Sequence, residues 1–143
     1  MEVKKGNFKL IKGERARSKL ILDKLFHRNA PYLFAFGFRF TWLILTNEQA
    51  EPCQIVCIAS KKKLKRAVDR NRRKRLLKEF YRLNKENLTK HLVQTETYLA
   101  LSINYVGKED LEFGRFEPKF RSALDQLILE LKKNTDSPLP AVN

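Results

Sequence analysis

The sequence predicts an α+β fold, a two-layer sandwich in which helices pack on one side of a mainly antiparallel sheet. Three observations lead there. The elements run in the order helix, strands, helix, strand, helix; the strand-like runs are dense in aromatic and β-branched residues; and the helix-like runs carry apolar residues at three- and four-residue spacing. With 143 residues, 43% of them hydrophobic, the chain is sized for one domain with one core, placed at 1–133.

Residues 1–13 are polar and Lys-rich and read as a flexible arm. RARSKLILDKLFHRN sets Leu20, Ile21 and Leu25 on a stripe, with Leu22 and Phe26 beside it and Asn29 and Pro31 closing it, which predicts a helix over 16–28. LFAFGFRFTWLIL, 33–45, reads as strand. If 34–42 ran unbroken, Phe34, Phe36, Phe38, Phe40 and Trp42 would share one side; a break at Gly37 would send some of these rings to the opposite face. Such rings either stack unpaired bases or form core beneath the helices.

CQIVCIAS predicts the next strand, bounded by Pro52 and a lysine run. Its two cysteines, Cys53 and Cys57, would stand roughly 13 Å apart along it, too far to bridge, and are expected as buried free thiols. A helix of about five turns follows from Lys65, with a second helical piece in KENLTKHL. TETYLALSINYV is a further strand, and the crossover joining it to the preceding one predicts a parallel pair. GKEDLEFG is a loop, and RFEPKFRSALDQLILELKK a final helix with Phe120, Leu124, Leu127, Ile128 and Leu131 on one side. Residues 134–143 have the composition of a disordered tail.

Charge separates the function classes. Ser60 to Arg82, SKKKLKRAVDRNRRKRLLKEFYR, holds twelve Lys and Arg against Asp69 and Glu79, and so carries +10 of the formal +14. Charge so concentrated favours encounter with a polyanion. Within the helix, Leu64, Ala67 and Val68 begin an apolar stripe and Leu76, Leu77, Phe80 and Leu83 resume it, yet DRNRRKR, 69–75, has no apolar residue. A membrane-surface helix would need that stripe unbroken. Like charges at i, i+4 repel until a counter-charge arrives, and arginines, which grip phosphates with two hydrogen bonds, dominate this segment. Asn71 adds an amide that donates and accepts, a mixture suited to RNA.

Other classes find less support. No Gly-rich phosphate loop, GK[ST] or HExxH is present, and no metal ligand set is apparent. The two histidines that a metal-free nuclease would need as acid and base, His27 and His91, lie in segments no motif joins. A DNA-reading helix would need a preceding helix-turn-helix. A ribosomal protein ties on composition. The N-terminus lacks an apolar core of signal-peptide length, and no run approaches the roughly 18 apolar residues of a spanning helix, so a cytoplasmic protein with no membrane partner is expected.

KRAVDRNRRKRLLKEFYR resembles the signature of the bacterial ribonuclease P protein subunit, which runs A-V, any residue, R-N-R, any residue, K-R, two residues, then a basic residue and often an acid. Ala67-Val68, Arg70-Asn71-Arg72, Lys74-Arg75 and Lys78-Glu79 fill it in register. That register separates the chain from a ribosomal protein. GERARSKLILDKLF, IVCIASKKKLKRA and FRSALDQLILEL resemble the family's flanking segments, so the likeness covers roughly 8–132.

The resemblance implies a sandwich with a left-handed βαβ crossover around the basic helix, an exception to the usual hand. It implies a protein, one copy per RNA and itself monomeric, that binds the catalytic RNA of ribonuclease P. A cleft between first helix and sheet would hold the single-stranded 5′ leader of precursor tRNA, and the RNA with bound Mg²⁺ would hydrolyse the phosphodiester to give mature tRNA 5′ ends. By position, Arg70, Asn71, Arg72, Lys74 and Arg75 would contact the catalytic RNA, with Arg66 and Lys65 extending the patch. Phe26, Phe38, Phe40, Lys61 and Lys62 would line the leader cleft. Two departures stand out: KLKR occupies the loop where many members have a Gly, and Leu22 stands where some offer an aromatic ring.

Overall fold

The structure is a computed structural model that describes residues 14–134 except 17, 28, 47, 48 and 50. The expected arm, 1–13, and all but the first residue of the expected tail, 134–143, lie outside the described residues. In chain order the elements are α1 (Lys19–Leu25), β1 (Tyr32–Ala35), β2 (Phe38–Leu45), β3 (Cys53–Ile58), α2 (Ala67–Asn84), α3 (Glu86–Gln94), β4 (Tyr98–Tyr105) and α4 (Phe113–Asn134).

The predicted strand at 33–45 is a hairpin. Phe36 and Gly37 form its two-residue turn with φ of 53° and 87°, both positive as the tightest hairpin turns require. A Cβ added to Gly37 would also meet the Tyr105 ring at 2.9 Å. The sheet order is β1-β2-β4-β3, with β1, β2 and β4 antiparallel and β3 parallel to β4, the pair expected around the basic helix.

Alternation along the strands makes two unlike faces. One carries Phe38, Phe40, Trp42, Cys53, Ile55, Cys57, Leu99, Leu101 and Ile103 and packs under α2, α3 and α4 as the main core. Phe120 of α4 is its hub, 5.2 Å from Phe38, 5.8 Å from Phe40 and 5.6 Å from Phe80 between ring centroids. The other face carries a smaller cluster in which Leu25 of α1 meets Leu43, Leu45 and Ala100. The helices are therefore not all on one side. The apolar stripe of α1 gave no clue to which face it would cover, and the main core face was already filled by three other helices.

Local chemistry sets the element ends. α1 is shorter than 16–28 because Ser18 caps it, its Oγ accepting the Ile21 N–H at 3.4 Å. α2 starts at Ala67 rather than Lys65 because the chain before it turns back, with the Leu64 N–H on the Ser60 carbonyl at 2.9 Å. Ahead of α1, Arg15 makes a parallel bridge to Ile55, the Ala16 N–H reaches the Ile55 carbonyl at 2.8 Å, and buried Glu14 accepts from Lys85 Nζ at 2.8 and 3.0 Å. This segment covers the outer edge of β3, where unpaired backbone would otherwise template further strands.

Both cysteines are buried free thiols as expected, and burial pushes each from 9.0 up to about 12. A thiol whose folded value is raised stays protonated after its unfolded counterpart has ionised, so stability should fall as pH rises above about 9. Urea midpoints measured between pH 8 and 10 should decline through that range, and those of the Cys53→Ala, Cys57→Ala double variant should decline less. Phe120→Ala should cost about 3–5 kcal/mol in the same assay, the usual loss for emptying a ring site in a packed core.

Candidate nucleic-acid interface

α2 has two unlike halves. Its second half is anchored by Leu77, Phe80 and Tyr81, all fully buried. Its first half contributes no side chain to the core: Val68 is 64% exposed, Asn71, Arg72 and Arg75 are exposed, and Arg73 and Lys74 are half-buried. This is the segment in which the apolar stripe breaks.

Polar contacts hold that first half in place. Arg70 Nη1 donates to the carbonyls of Leu64 at 2.9 Å and Lys65 at 2.8 Å, closing the turn that leads into the helix. The Arg73 guanidinium lies 5.2 Å from the Tyr105 ring centroid, a cation–π contact where an apolar residue would normally sit. Gly107 makes room for that ring, since a Cβ there would fall 2.4 Å from the Tyr105 hydroxyl oxygen. Lys63 Nζ donates to the Val106 carbonyl at 2.9 Å, and the Val106 N–H to the Gly37 carbonyl at 2.8 Å. The turn before α2, the end of β4 and the β1–β2 hairpin tip thus meet at one end of the sheet.

Little acid opposes the cations here. Asp69 stands 3.9 Å from Arg66 and is the one acid in the first half of α2. A hydrogen bond from Arg82 holds the Glu79 carboxyl below its usual range, against a smaller effect of burial, which pairs one acid with one cation at the far end. Lys74 and Lys78 face Cys57 and favour its thiolate, but burial outweighs both.

The structure sorts the residues proposed for the catalytic RNA. Lys65, Arg66, Asn71, Arg72 and Arg75 are exposed together in and just before the helix, with Lys74 half-exposed among them. Arg70 is half-buried and spends its guanidinium on two backbone carbonyls, so its first role is to build the turn. Lys61 and Lys62 are exposed in that turn, the Lys62 N–H donating to Ser60 Oγ at 3.2 Å. Phe26 is exposed immediately after α1.

Phe38 and Phe40 do not line a cleft. Both are fully buried between the sheet and α4, and neither offers a face to a ligand. The turn at Phe36–Gly37 is the reason: it assigns Phe38, Phe40 and Trp42 to the core face and leaves Tyr32 and Phe34 on the other. There, Tyr32 and Phe34 are each 54% exposed, their rings edge-to-face at 5.5 Å. The Arg39 guanidinium lies 5.1 Å from one ring centroid and 5.3 Å from the other. Tyr32 and Arg39 went unnoticed in the sequence; the usable signal was Gly37 flanked by alternating aromatic residues. His27 follows α1 on one side of the sheet and His91 sits in α3 on the other, so the two cannot act on one substrate atom. Among the described residues no group of three or more His, Cys, Asp or Glu could hold a metal ion.

A family model described as Ribonuclease P matches residues 15–132. The chain is 32% identical over 127 residues to the ribonuclease P protein component of Chlorobaculum tepidum, a match covering 83% of this chain and 82% of that protein. It is 28% identical over 119 residues to the ribonuclease P protein component of Porphyromonas gingivalis, covering 83% of this chain and 86% of that one.

The Arg73–Tyr105 contact supports a measurement. Tyr105 is itself buried in the core against Phe38 and Phe116, so the cation is the side to change: Arg73→Met keeps the aliphatic stem and removes the guanidinium, a loss of about 0.5–1 kcal/mol for a half-buried contact. Amide hydrogen exchange should quicken by about two- to fivefold across 68–75 and stay unchanged across 77–84, where the core holds the helix.

Proposed function

The chain belongs to the ribonuclease P protein family, and from that premise we propose that the first half of α2 docks on the catalytic RNA while the open sheet face beside α1 receives the 5′ leader of precursor tRNA. The observation that carries this reading is the exposed group Lys65, Arg66, Asn71, Arg72 and Arg75, standing outside the core with Asp69 as the one nearby acid in its half of the helix. A helix so charged is self-repelling in isolation, and phosphates relieve the repulsion while releasing their own counterions. Asn71 and the planar guanidiniums add hydrogen bonds to phosphate, base edge or 2′-hydroxyl.

The leader site follows from what the helices leave uncovered. α1 packs over Leu43, Leu45 and Ala100, and towards the hairpin tip, at Tyr32, Phe34 and Arg39, no described helix lies on that face. Phe26 at the end of α1 and Lys61 and Lys62 in the turn before α2 supply a ring and cations for a single strand. The protein provides affinity and charge neutralisation; its two histidines lie on opposite sides of the sheet, and among the described residues there is no metal donor set. Mg²⁺ for the hydrolysis would be held by the RNA, and one copy of the protein would serve each RNA. No described helix is long and apolar enough to cross a membrane.

The purified chain, bacterial ribonuclease P RNA and precursor tRNA at low Mg²⁺ should release the leader only when protein and RNA are both present. Cleavage by protein alone would make it a nuclease in its own right; no cleavage in any mixture, with a working control subunit, would sink the proposal. Arg72 and Arg75 are exposed and free of the structural work done by Arg70, so replacing both with Ala should weaken binding to the catalytic RNA and flatten its dependence on log salt by about one to two ions. An unchanged slope would remove them from the interface.

A further inference from the structure

We infer that the Phe36 ring, at the tip of the β1–β2 hairpin, is a stacking contact for an unpaired base of the catalytic RNA. This reading rests on the docking of α2 proposed above and gives that docking a second point of attachment, off the basic helix and off the sheet face.

Phe36 is an ill-suited residue for its place. The turn has two residues, both at positive φ, and the first position of such turns falls to Asn, Asp or Gly, which tolerate the left-handed region. A bulky ring at φ 53° is held there at a cost to the hairpin. Burial does not offset that cost: the residue is 49% exposed, and neither apolar cluster of the described residues includes it. A strained residue that gains so little from folding points to a use outside the fold.

The surroundings select the partner. The Gly37 carbonyl accepts the Val106 N–H at 2.8 Å and the Val106 carbonyl accepts Lys63 Nζ at 2.9 Å, so the tip is tied to the turn that bears exposed Lys61 and Lys62 and leads into α2. Tyr105, against which Gly37 packs, carries the Arg73 guanidinium 5.2 Å from its ring centroid. Glu109, which also faces Tyr105, is already paired with Arg115 at 2.6 Å. A ring flanked by cations suits a nucleotide, the base on the ring and the phosphates on the cations. A second copy of the chain would instead bring together two molecules of formal charge +14. The catalytic RNA, rather than the leader, is the strand in reach. These contacts bind the tip to α2, whereas α1 covers Leu43 and Leu45 at the opposite end of β2.

One variant separates the ring's effect on the fold from its effect on RNA. Phe36→Asn supplies a residue that the turn prefers, so the urea midpoint should rise by about a few tenths of a molar. The same variant should bind the catalytic RNA, with no precursor tRNA present, about five- to tenfold more weakly or worse, the loss of one base–aromatic stack. Its slope against log salt should stay that of the wild type, since no cation is removed. Phe36→Trp should keep the affinity. Unchanged affinity in Phe36→Asn would overturn the stacking role, and so would a falling urea midpoint, which would make the ring part of the fold. Weaker binding of precursor tRNA by the reconstituted holoenzyme, with normal affinity for the catalytic RNA, would give the ring to the leader and overturn it too. If the wild type failed to bind the catalytic RNA, the reading of α2 would fall as well. A flattened slope in the Arg72→Ala, Arg75→Ala variant beside an unaffected Phe36→Asn would remove the ring alone. Concentration-dependent dimerisation of the wild type, abolished by Phe36→Asn, would assign the ring to a second copy instead.

Discussion

The tight turn at Phe36–Gly37 is the constraint on which the sheet depends. Strand side chains alternate with a period of two, so the turn that joins β1 to β2 decides which residues go inward for both strands at once. With both φ values positive, Ala35 faces Phe38 and every later position is fixed. Phe38 then meets Phe80 and Phe120, Phe40 meets Phe120 and Trp42 joins the same core, while Arg39 stays in solvent. A slip by one residue would bury a guanidinium and expose three large rings, an error costly enough to exclude itself. The close fit of Gly37 against Tyr105 carries the same constraint to β4, and through the Tyr105 ring to Arg73 on the basic helix.

The basic helix shows how a protein presents charge without leaving it loose. An ordinary helix rests on the core along its whole length; α2 rests on it for its second half only and projects the remainder on polar contacts. The side chains that face outward are then free of packing duties. Arg70 marks the boundary, because in the sequence it is one arginine among several and in the structure it is the one that shapes the turn.

Much of this was legible in the sequence because the strongest signals are local. The apolar periods placed α1 and α4, the interrupted stripe of the basic run placed α2 with α3 as a helical piece after it, the β-rich runs placed three strands, and the gap over 69–75 located the exposed half of α2. The parallel β3–β4 pair followed from the need for a crossover. What stayed hidden was parity and side. Nothing short of the turn geometry tells Phe34 from Phe38, since both sit in the same aromatic run, and so Phe38 and Phe40 were expected at a ligand and found in the core. Nor does an amphipathic helix state which face of a sheet it will cover, and α1 chose the face its companions left open.

That choice gives the molecule two layers of unequal resilience. The main cluster joins three helices to the sheet, whereas the seven-residue α1 rests on a small cluster that shares no side chain with it. Opening α1 therefore exposes far less apolar surface than unfolding the domain, and local unfolding of this kind carries a correspondingly smaller free energy. The sheet face can thus open at its α1 end while the layer bearing the basic helix stays folded.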